Sequence, residues 1–397
     1  MEGAGPRSSR AAAGAALGIW WASRASLFVV VTGISWVLAL PGPSRITGPA
    51  GWLAERFVWW DAFHFLRIAD RGYLPPELPC CDQAFFPGYP FATRAVGLLV
   101  GRNWVLAGLL VTQVAASAAA VLLWRLAAQP GTRAEGGAGG THHPLVGRHA
   151  VLLLATAPFG LFLSSVYSEA LFLALSLGAW SAGLRRRWWV AGLLAALAAA
   201  TRINGLFLAA ALAVMYLAQL RAEGRWRPRW DAAALALPAL AVAGYFAWLH
   251  ARTGSWNNWQ EAQNRSWQRQ LAWPWDGLRI GFHQLVTAPS HDLVISRAAD
   301  LLTAVGGIVL TGLLVGRRRW AEAVLIGLNV AVLVASTTLV SSPRYALTWF
   351  PAYLMAARWS ARRRPAGGRW VLPVAVVLGA PAMAVLSVTF AMHLWVA

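Results

Sequence analysis

Along this chain apolar residues come in long unbroken runs, and the polar residues gather between them. The runs fall at roughly 22–40, 104–126, 148–166, 170–184, 188–203, 205–220, 232–250, 293–315, 320–340, 344–358 and 370–394. About 20 apolar residues are what a helix needs to cross a bilayer core, where it satisfies its own backbone without water. The pattern therefore predicts an all-α polytopic membrane protein of about eleven transmembrane helices. Runs shorter than ~20 residues predict tilted pairs or broken helices. One membrane-embedded domain over 1–397 is expected, with no repeat of solenoid period.

Charge orients the spans. The protein is 58% hydrophobic and 12% charged, and its formal net charge of +19 comes from Arg, since it has no Lys. Nucleic acid is not the expected partner, because the Arg residues punctuate apolar runs and form no continuous basic face. Arg-rich short loops mark the cytosolic side: Arg7/Arg10, 129–148, Arg185-Arg186-Arg187, 221–229, Arg317-Arg318-Arg319 and 358–369. An even number of spans separates each of these loops from the next. Two long segments, 41–103 and 251–292, then lie outside. Glu55, Asp61, Asp70, Glu77, Asp82, Glu169, Glu261, Asp276 and Asp292 fall on that outer side. Glu2, Glu135, Glu223, Asp231 and Glu322 fall inside. Asp300 falls within a span, where Arg297 offers an i,i+3 partner.

The first run is too long for a signal peptide and no small-x-small site follows it, so it is read as an uncleaved span with Arg24 snorkelling to the interface. Ala, Gly, Arg and Trp enrichment without Lys points to a GC-rich bacterial genome. The 24 Trp residues cluster at run ends, as an aromatic belt does. Cys80 and Cys81 are adjacent, a placement that rarely forms an unstrained disulfide, and show no metal spacing. His142-His143 lacks acidic neighbours. No metal site or cofactor is therefore assigned, although a divalent ion is compatible with the chemistry below.

The densest polar signal is the segment Trp59-Trp60-Asp61-Ala62-Phe63-His64-Phe65-Leu66-Arg67-Ile68-Ala69-Asp70-Arg71-Gly72-Tyr73. At helical spacing Asp61, His64, Arg67 and Arg71 share one side, and Trp59, Ala62, Leu66, Ala69 and Tyr73 the other. Trp60, Ile68 and Asp70 break the pattern. Gly72 can close the helix and Pro75-Pro76 forbid its continuation. An amphipathic helix lying on the outer leaflet is expected. An amphipathic anchor with a solvated polar face satisfies the same periodicity. Ala84-Phe85-Phe86-Pro87-Gly88-Tyr89-Pro90 reads as a rigid bend.

Glu169 fits a first-turn acid favoured by the helix dipole. Arg202 and Asn204 interrupt Ala-rich apolar sequence in Thr201-Arg202-Ile203-Asn204-Gly205, and polar groups at membrane depth mark candidate sites. Arg344, in Ser341-Ser342-Pro343-Arg344-Tyr345, could hold a lipid phosphate or snorkel to headgroups. The segment 252–292, rich in Trp, Gln, Asn and Arg, suits sugar binding and an interfacial belt equally.

These motifs resemble a known family. The 60–73 segment is similar to the first luminal loop of the GPI mannosyltransferase 2 (PIG-V-like) proteins. The similarity continues at 84–90, at Tyr167-Ser168-Glu169-Ala170-Leu171-Phe172, at Ala200-Thr201-Arg202-Ile203-Asn204-Gly205, and more weakly at Ser342-Pro343-Arg344-Tyr345. The resemblance implies a GT-C-like helical bundle and a hexosyltransferase that takes a sugar from a polyprenyl-phosphate donor with inversion. It also implies a catalytic acid on the first outer loop, the position of Asp61. Mannose, from a dolichyl-phosphate-mannose-like donor, is carried by the resemblance alone.

The map supports a lipid donor separately. Nucleotide sugars are cytosolic, whereas the patterned acids and the Arg residues at membrane depth face outward. A single phosphate also needs less neutralisation than a diphosphate, so an Arg can replace a metal. Asp61 follows two Trp residues that partly desolvate it, and it is the expected base. His64 is expected to orient it or to contact the acceptor, with Glu169 and Asp82 as reserve bases. Arg202 or Arg344 is expected to hold the donor phosphate, and Asn204, Glu169 and Arg67 complete the expected substrate-binding set. The partners expected are the lipid donor, a lipid or glycan acceptor and membrane lipids, in the cell membrane with the site extracytoplasmic. The rival reading is a transporter or lipid flippase, which would place ionisable residues near the midplane, often in paired repeats. A structural subunit of a cell-wall complex would have no use for the Asp61 segment.

Overall fold

The computed structural model describes residues 6–38, 51, 54–74, 81–129, 143–361 and 366–396. Glu2, Pro41-Gly42-Pro43, Pro75-Pro76, Glu77, Cys80, Glu135, His142 and Arg362 to Arg364 lie outside the described residues. So do the side chains of Arg7 and Asp292. The helices are α1 (Pro6–Val37), α2 (Asp61–Arg71), α3 (Gly88–Leu99), α4 (Trp104–Ala127), α5 (Pro144–Ala155), α6 (Glu169–Leu184), α7 (Trp188–Thr201) and α8 (Gly205–Ala222). They continue as α9 (Leu237–Thr253), α10 (Asn258–Trp267), α11 (Asp276–Val286), α12 (His291–Gly316), α13 (Trp320–Val334), α14 (Ser342–Ala346), α15 (Phe350–Ser360) and α16 (Val371–Ala391). Among the described residues there is no strand, only an isolated bridge between Leu271 and Ser336.

The protein is an all-α polytopic membrane protein. Among the described residues six helical segments are long and apolar enough to cross a bilayer: Arg10–Val37, Trp104–Ala127, Gly205–Ala222, Trp230–Thr253, Leu293–Gly316 and Gly368–Ala391. The shorter apolar helices α5, α6, α7 and α13 pack among them. Apolar side chains such as Val114, Leu302 and Val377 remain 67–71% exposed, as lipid-facing positions do. Inside, Trp20, Phe65, Tyr89, Leu123, Phe162 and Tyr167 form one buried cluster.

Several run boundaries are corrected. The first helix begins at Pro6. The 148–166 run stops as a helix at Ala155 and turns through a 3-10 segment at Gly160–Leu163. Pro158 disfavours helical backbone in the residue before it. Arg24 does not snorkel. It is 5% exposed and donates to the carbonyls of Ala155 (2.6 Å), at the end of the broken helix, and Gly160 (2.8 Å), in the turn that follows. The 320–340 run is helical only to Val334, beyond which its Ser and Thr residues pair with the 268–272 segment. The 344–358 run splits into α14 and α15, the latter with a proline in its first turn. The 251–292 segment contains two helices, α10 and α11.

Helix α2 is amphipathic, but it is packed into the molecule. Its buried stripe is Ala62, Phe65, Ile68 and Ala69, a spacing of three and four residues, and it packs on α3. Ile68, which seemed out of pattern, belongs to the inward stripe. Leu66 is only half-buried.

Two tight backbone approaches hold the neighbouring motifs in register. A Cβ on Gly88 would lie 2.8 Å from the Ala200 carbonyl oxygen, and one on Gly205 would lie 2.3 Å from backbone atoms of Ala199. Gly205→Ala is therefore expected to lower stability by about 1–3 kcal/mol. Gly14→Ala, where nothing lies within 4 Å, should be neutral or mildly stabilising. Thermal unfolding of both variants in detergent checks this. Equal effects would contradict the packing described.

Candidate active site

Helices α6 and α7 are joined at one end by Arg185-Arg186-Arg187. At the other end Glu169 opens α6, Arg202 follows α7, and Asn204 precedes α8. The start of α2 and the short helix α14 meet them there. Trp60, immediately before α2, has φ +56°, an uncommon conformation for so bulky a residue and one that costs about 1–3 kcal/mol. Surrounding contacts hold it. Tyr167 donates its hydroxyl to the Trp59 carbonyl at 2.8 Å, and Trp395 packs edge-on against Trp60. The result aims Asp61 at Arg344.

Arg344 is buried, with its guanidinium against the rings of Phe162 (4.9 Å) and Tyr167 (4.7 Å). Its Nη1 donates to Asp61 Oδ2 at 2.8 Å. Its Nε and Nη2 donate to Glu169 Oε1 at 3.1 and 3.0 Å. Arg202 Nη1 reaches the same Glu169 oxygen at 2.9 Å and Ser168 Oγ at 3.0 Å. The four residues form an alternating chain, Asp61–Arg344–Glu169–Arg202. Glu169 is fully buried, and a carboxylate so placed requires such partners. Burial disfavours a charged Arg344, but Glu169 and Asp61 outweigh it and raise its pKa above the ordinary arginine value.

Asp61, Arg344 and Arg202 of this chain of charges line a cavity of about 400 Å³, within the range of small-molecule sites, with Glu169 buried behind them. Its apolar side includes Phe65, Phe85, Phe86, Leu206, Phe207 and Trp349. Its polar side includes Asp61, Arg202, Arg344, Arg269, Tyr345 and Asn204. Asp61 is the one carboxylate among the lining residues. Asn204 Nδ2 donates to Asn329 Oδ1 at 2.6 Å, and Asn329 in turn donates to the Leu325 carbonyl.

His64 and Arg67 turn away from Asp61 and do not line the cavity. His64 Nδ1 lies 2.7 Å from Asp82 Oδ1, and Arg67 engages both Asp82 oxygens. The His64 ring stacks on Phe85, whose side chain also lines the cavity. This cluster braces the cavity wall from behind. Burial alone would raise the Asp82 pKa, but hydrogen bonds from Arg67 and His64 prevail and hold it below the ordinary carboxylate value. Cys81 is disulfide-bonded.

The structure thus gathers Asp61, Glu169, Arg202, Asn204 and Arg344 at one cavity and assigns His64 and Arg67 to Asp82. Sequence reasoning missed Asn329 and Arg269 and gave Tyr345 no role. Asn329 carries the signal that singled out Asn204, a lone amide in an apolar helix. Arg269 sits in a Gln- and Trp-rich segment where it has no such mark. Asp300 keeps its i,i+3 contact with Arg297 at 3.8 Å and also accepts from the Ser342 backbone N–H at 3.0 Å, anchoring the start of α14.

Asp82→Asn is expected to destabilise the protein by about 3 kcal/mol at neutral pH, because it leaves Arg67 without its charge partner. A lowered folded-state pKa means this stabilisation is present above the unfolded value near 3.9 and lost as pH falls through the folded value. The gap in thermal stability between wild type and Asp82→Asn should therefore narrow below about pH 4. A gap independent of pH would contradict an ionised Asp82.

Comparison with known proteins matches residues 38–222 to the family model described as Mannosyltransferase (PIG-V). The GPI alpha-1,6-mannosyltransferase 2 of Rattus norvegicus is 40% identical over 156 residues, covering 37% of this chain and 29% of that protein. The Homo sapiens protein of that name is 38% identical over 153 residues, with 37% and 29% covered. GPI mannosyltransferase 2 of Chaetomium globosum is 32% identical over 181 residues, covering 38% of this chain and 36% of its own. The chain thus spans about a third of the length of these curated relatives. No solved structure matches it. The matched stretch carries Asp61, Glu169, Arg202 and Asn204, and over it the chain is similar to the PIG-V mannosyltransferases.

Proposed function

We propose that this protein is a GT-C-like membrane mannosyltransferase. It moves mannose from a polyprenyl-phosphate donor to a lipid or glycan hydroxyl on the extracytoplasmic face, with inversion. The observation that carries the reading is Asp61, a lone carboxylate on the wall of a half-apolar cavity whose charged side is arginine-rich. The family match over residues 38–222 supports mannose as the sugar.

Asp61 is the general base. Arg344 occupies Oδ2 and fixes the carboxylate orientation, and among the described residues no hydrogen bond engages Oδ1. Oδ1 accepts the acceptor's hydroxyl proton as that oxygen bonds the anomeric carbon. The bond from that carbon to the phosphate oxygen breaks, and the electron pair leaves with the polyprenyl phosphate. A phosphate leaving group is stable at neutral pH, so no acid need protonate it. Arginines on the polar wall stabilise its charge. The reserve acids are less suited: Glu169 is fully buried between two arginines and Asp82 is engaged by Arg67 and His64. Sidedness rests on the Arg-rich turns, which lie at the opposite ends of α6 and α7 from Glu169 and Arg202.

Transfer of radiolabelled mannose from a polyprenyl-phosphate donor by purified protein tests the activity. Asp61→Asn should lower turnover by about 10²–10⁴ while donor binding stays near normal. Turnover close to wild type would remove Asp61 from the base role. Arg265→Cys, exposed on α10, should react with an impermeant thiol reagent added outside intact cells, and Arg317→Cys only after permeabilisation. The reverse pattern would overturn the sidedness.

A further inference from the structure

Among the described residues, one guanidinium on the cavity wall has no carboxylate within ion-pair distance. Asp61 and Glu169 together face Arg202 and Arg344, and those four charges cancel within their own chain. Arg269 is a third guanidinium on the wall. Among the described residues no carboxylate lies within ion-pair distance of it. Its Nη1 donates to the Tyr345 hydroxyl and its Nη2 to the Val340 carbonyl at 2.9 Å, both neutral oxygens. Three guanidiniums thus meet two carboxylates around Tyr345, whose ring also lies 5.2 Å from Arg202.

Arg269 is held in place by the backbone. Gln268, just before it, has φ +51°, and the following residues zip onto the end of α13. The Thr337 N–H donates to the Gln270 carbonyl at 3.0 Å, and the Ala272 N–H to the Ala335 carbonyl at 2.9 Å. The Thr337 hydroxyl donates to the Gln268 carbonyl at 2.7 Å. The segment is a strap from α10 across the cavity to α13, and Arg269 is presented from it on Tyr345. Burial alone would raise the Tyr345 pKa, yet Arg269, Arg202 and Arg344 together hold it below the ordinary phenol value. The wall therefore favours negative charge.

We propose that Arg269 binds the phosphate of the lipid-linked sugar, leaving Arg344 to hold Asp61 and Arg202 to hold Glu169. A polyprenyl-phosphate sugar is a phosphodiester with one negative charge, which matches the single unbalanced positive charge. The apolar side of the cavity then takes the first isoprene units. This inference rests on the lipid-phosphate reading above.

The test compares wild type, Arg269→Gln and Arg269→Lys in nanodiscs for binding of farnesyl phosphate, farnesol and inorganic phosphate, alongside the mannose transfer assay. Wild type should bind farnesyl phosphate well above the other two. Arg269→Gln should weaken that binding about ten- to hundredfold, the loss of a charge-assisted contact, and raise donor KM while sparing farnesol. Arg269→Lys should recover part of it. If Arg269→Gln fails to fold, Tyr345→Phe, which removes a hydroxyl that positions Arg269, should weaken farnesyl phosphate more than farnesol. Unchanged farnesyl phosphate binding and donor KM in the folded variants would overturn the inference with the transferase reading intact. Inorganic phosphate binding as tightly as farnesyl phosphate would also overturn it. Wild type that binds farnesyl phosphate through Arg269 but transfers no mannose would overturn the transferase reading instead.

Discussion

The ion bridge from Glu169 through Arg344 to Asp61 is the contact on which the site depends. Glu169 is fully buried, and a carboxylate in that position is tolerable only with charge partners and hydrogen bonds. Arg344 supplies three of its five N–H donors to two acids, and Arg202 adds a third contact to the Glu169 carboxylate. Removing one member would leave the others buried and uncompensated, typically at 3–5 kcal/mol. The bridge therefore ties together the starts of α2 and α6, the end of α7 and the short helix α14.

Each partner is held by something further out. Asp300 anchors the first residue of α14 from within α12, so an acid in a membrane helix serves the position of Arg344. Tyr167 packs against Arg344 and donates to the backbone just before Asp61. Gly88 and Gly205 permit backbone contact where a side chain would push α3 from the end of α7, or α8 from α7. The broken helix after Ala155 is stabilised by Arg24, which donates to the Ala155 and Gly160 carbonyls on either side of the break. These devices are polar, and an apolar bundle tolerates them because their charged groups meet ion-pair or hydrogen-bond partners.

The cavity combines an apolar wall with a polar one, which suits a lipid that carries a charged group. The charged side chains on its wall come from four separate regions of the chain: α2, the α7–α8 turn, the 268–272 strap and α14. The cluster of His64, Arg67 and Asp82 lies behind Phe85, where it stiffens the cavity wall. Its residue types resemble those of a catalytic set, but its position makes it a support.

The sequence by itself determined the helical membrane architecture, because bilayer thickness imposes a run length that can be read directly. It also marked Asp61, Arg202, Asn204 and Arg344, since polar groups in apolar surroundings are costly and stand out. Helical periodicity placed Asp61, His64 and Arg67 on one face, because it relates residues within a turn or two. It could not say which of them shares a partner. Only the tertiary structure decided that Asp61 meets Arg344, 283 residues away, while His64 and Arg67 turn to Asp82. It also decided that Ile68 faces inward and that Arg269 joins the site. The physical reason is common to all three. Ion-pair partners and buried faces are set by how helix ends meet in space, and nothing in local spacing encodes that meeting.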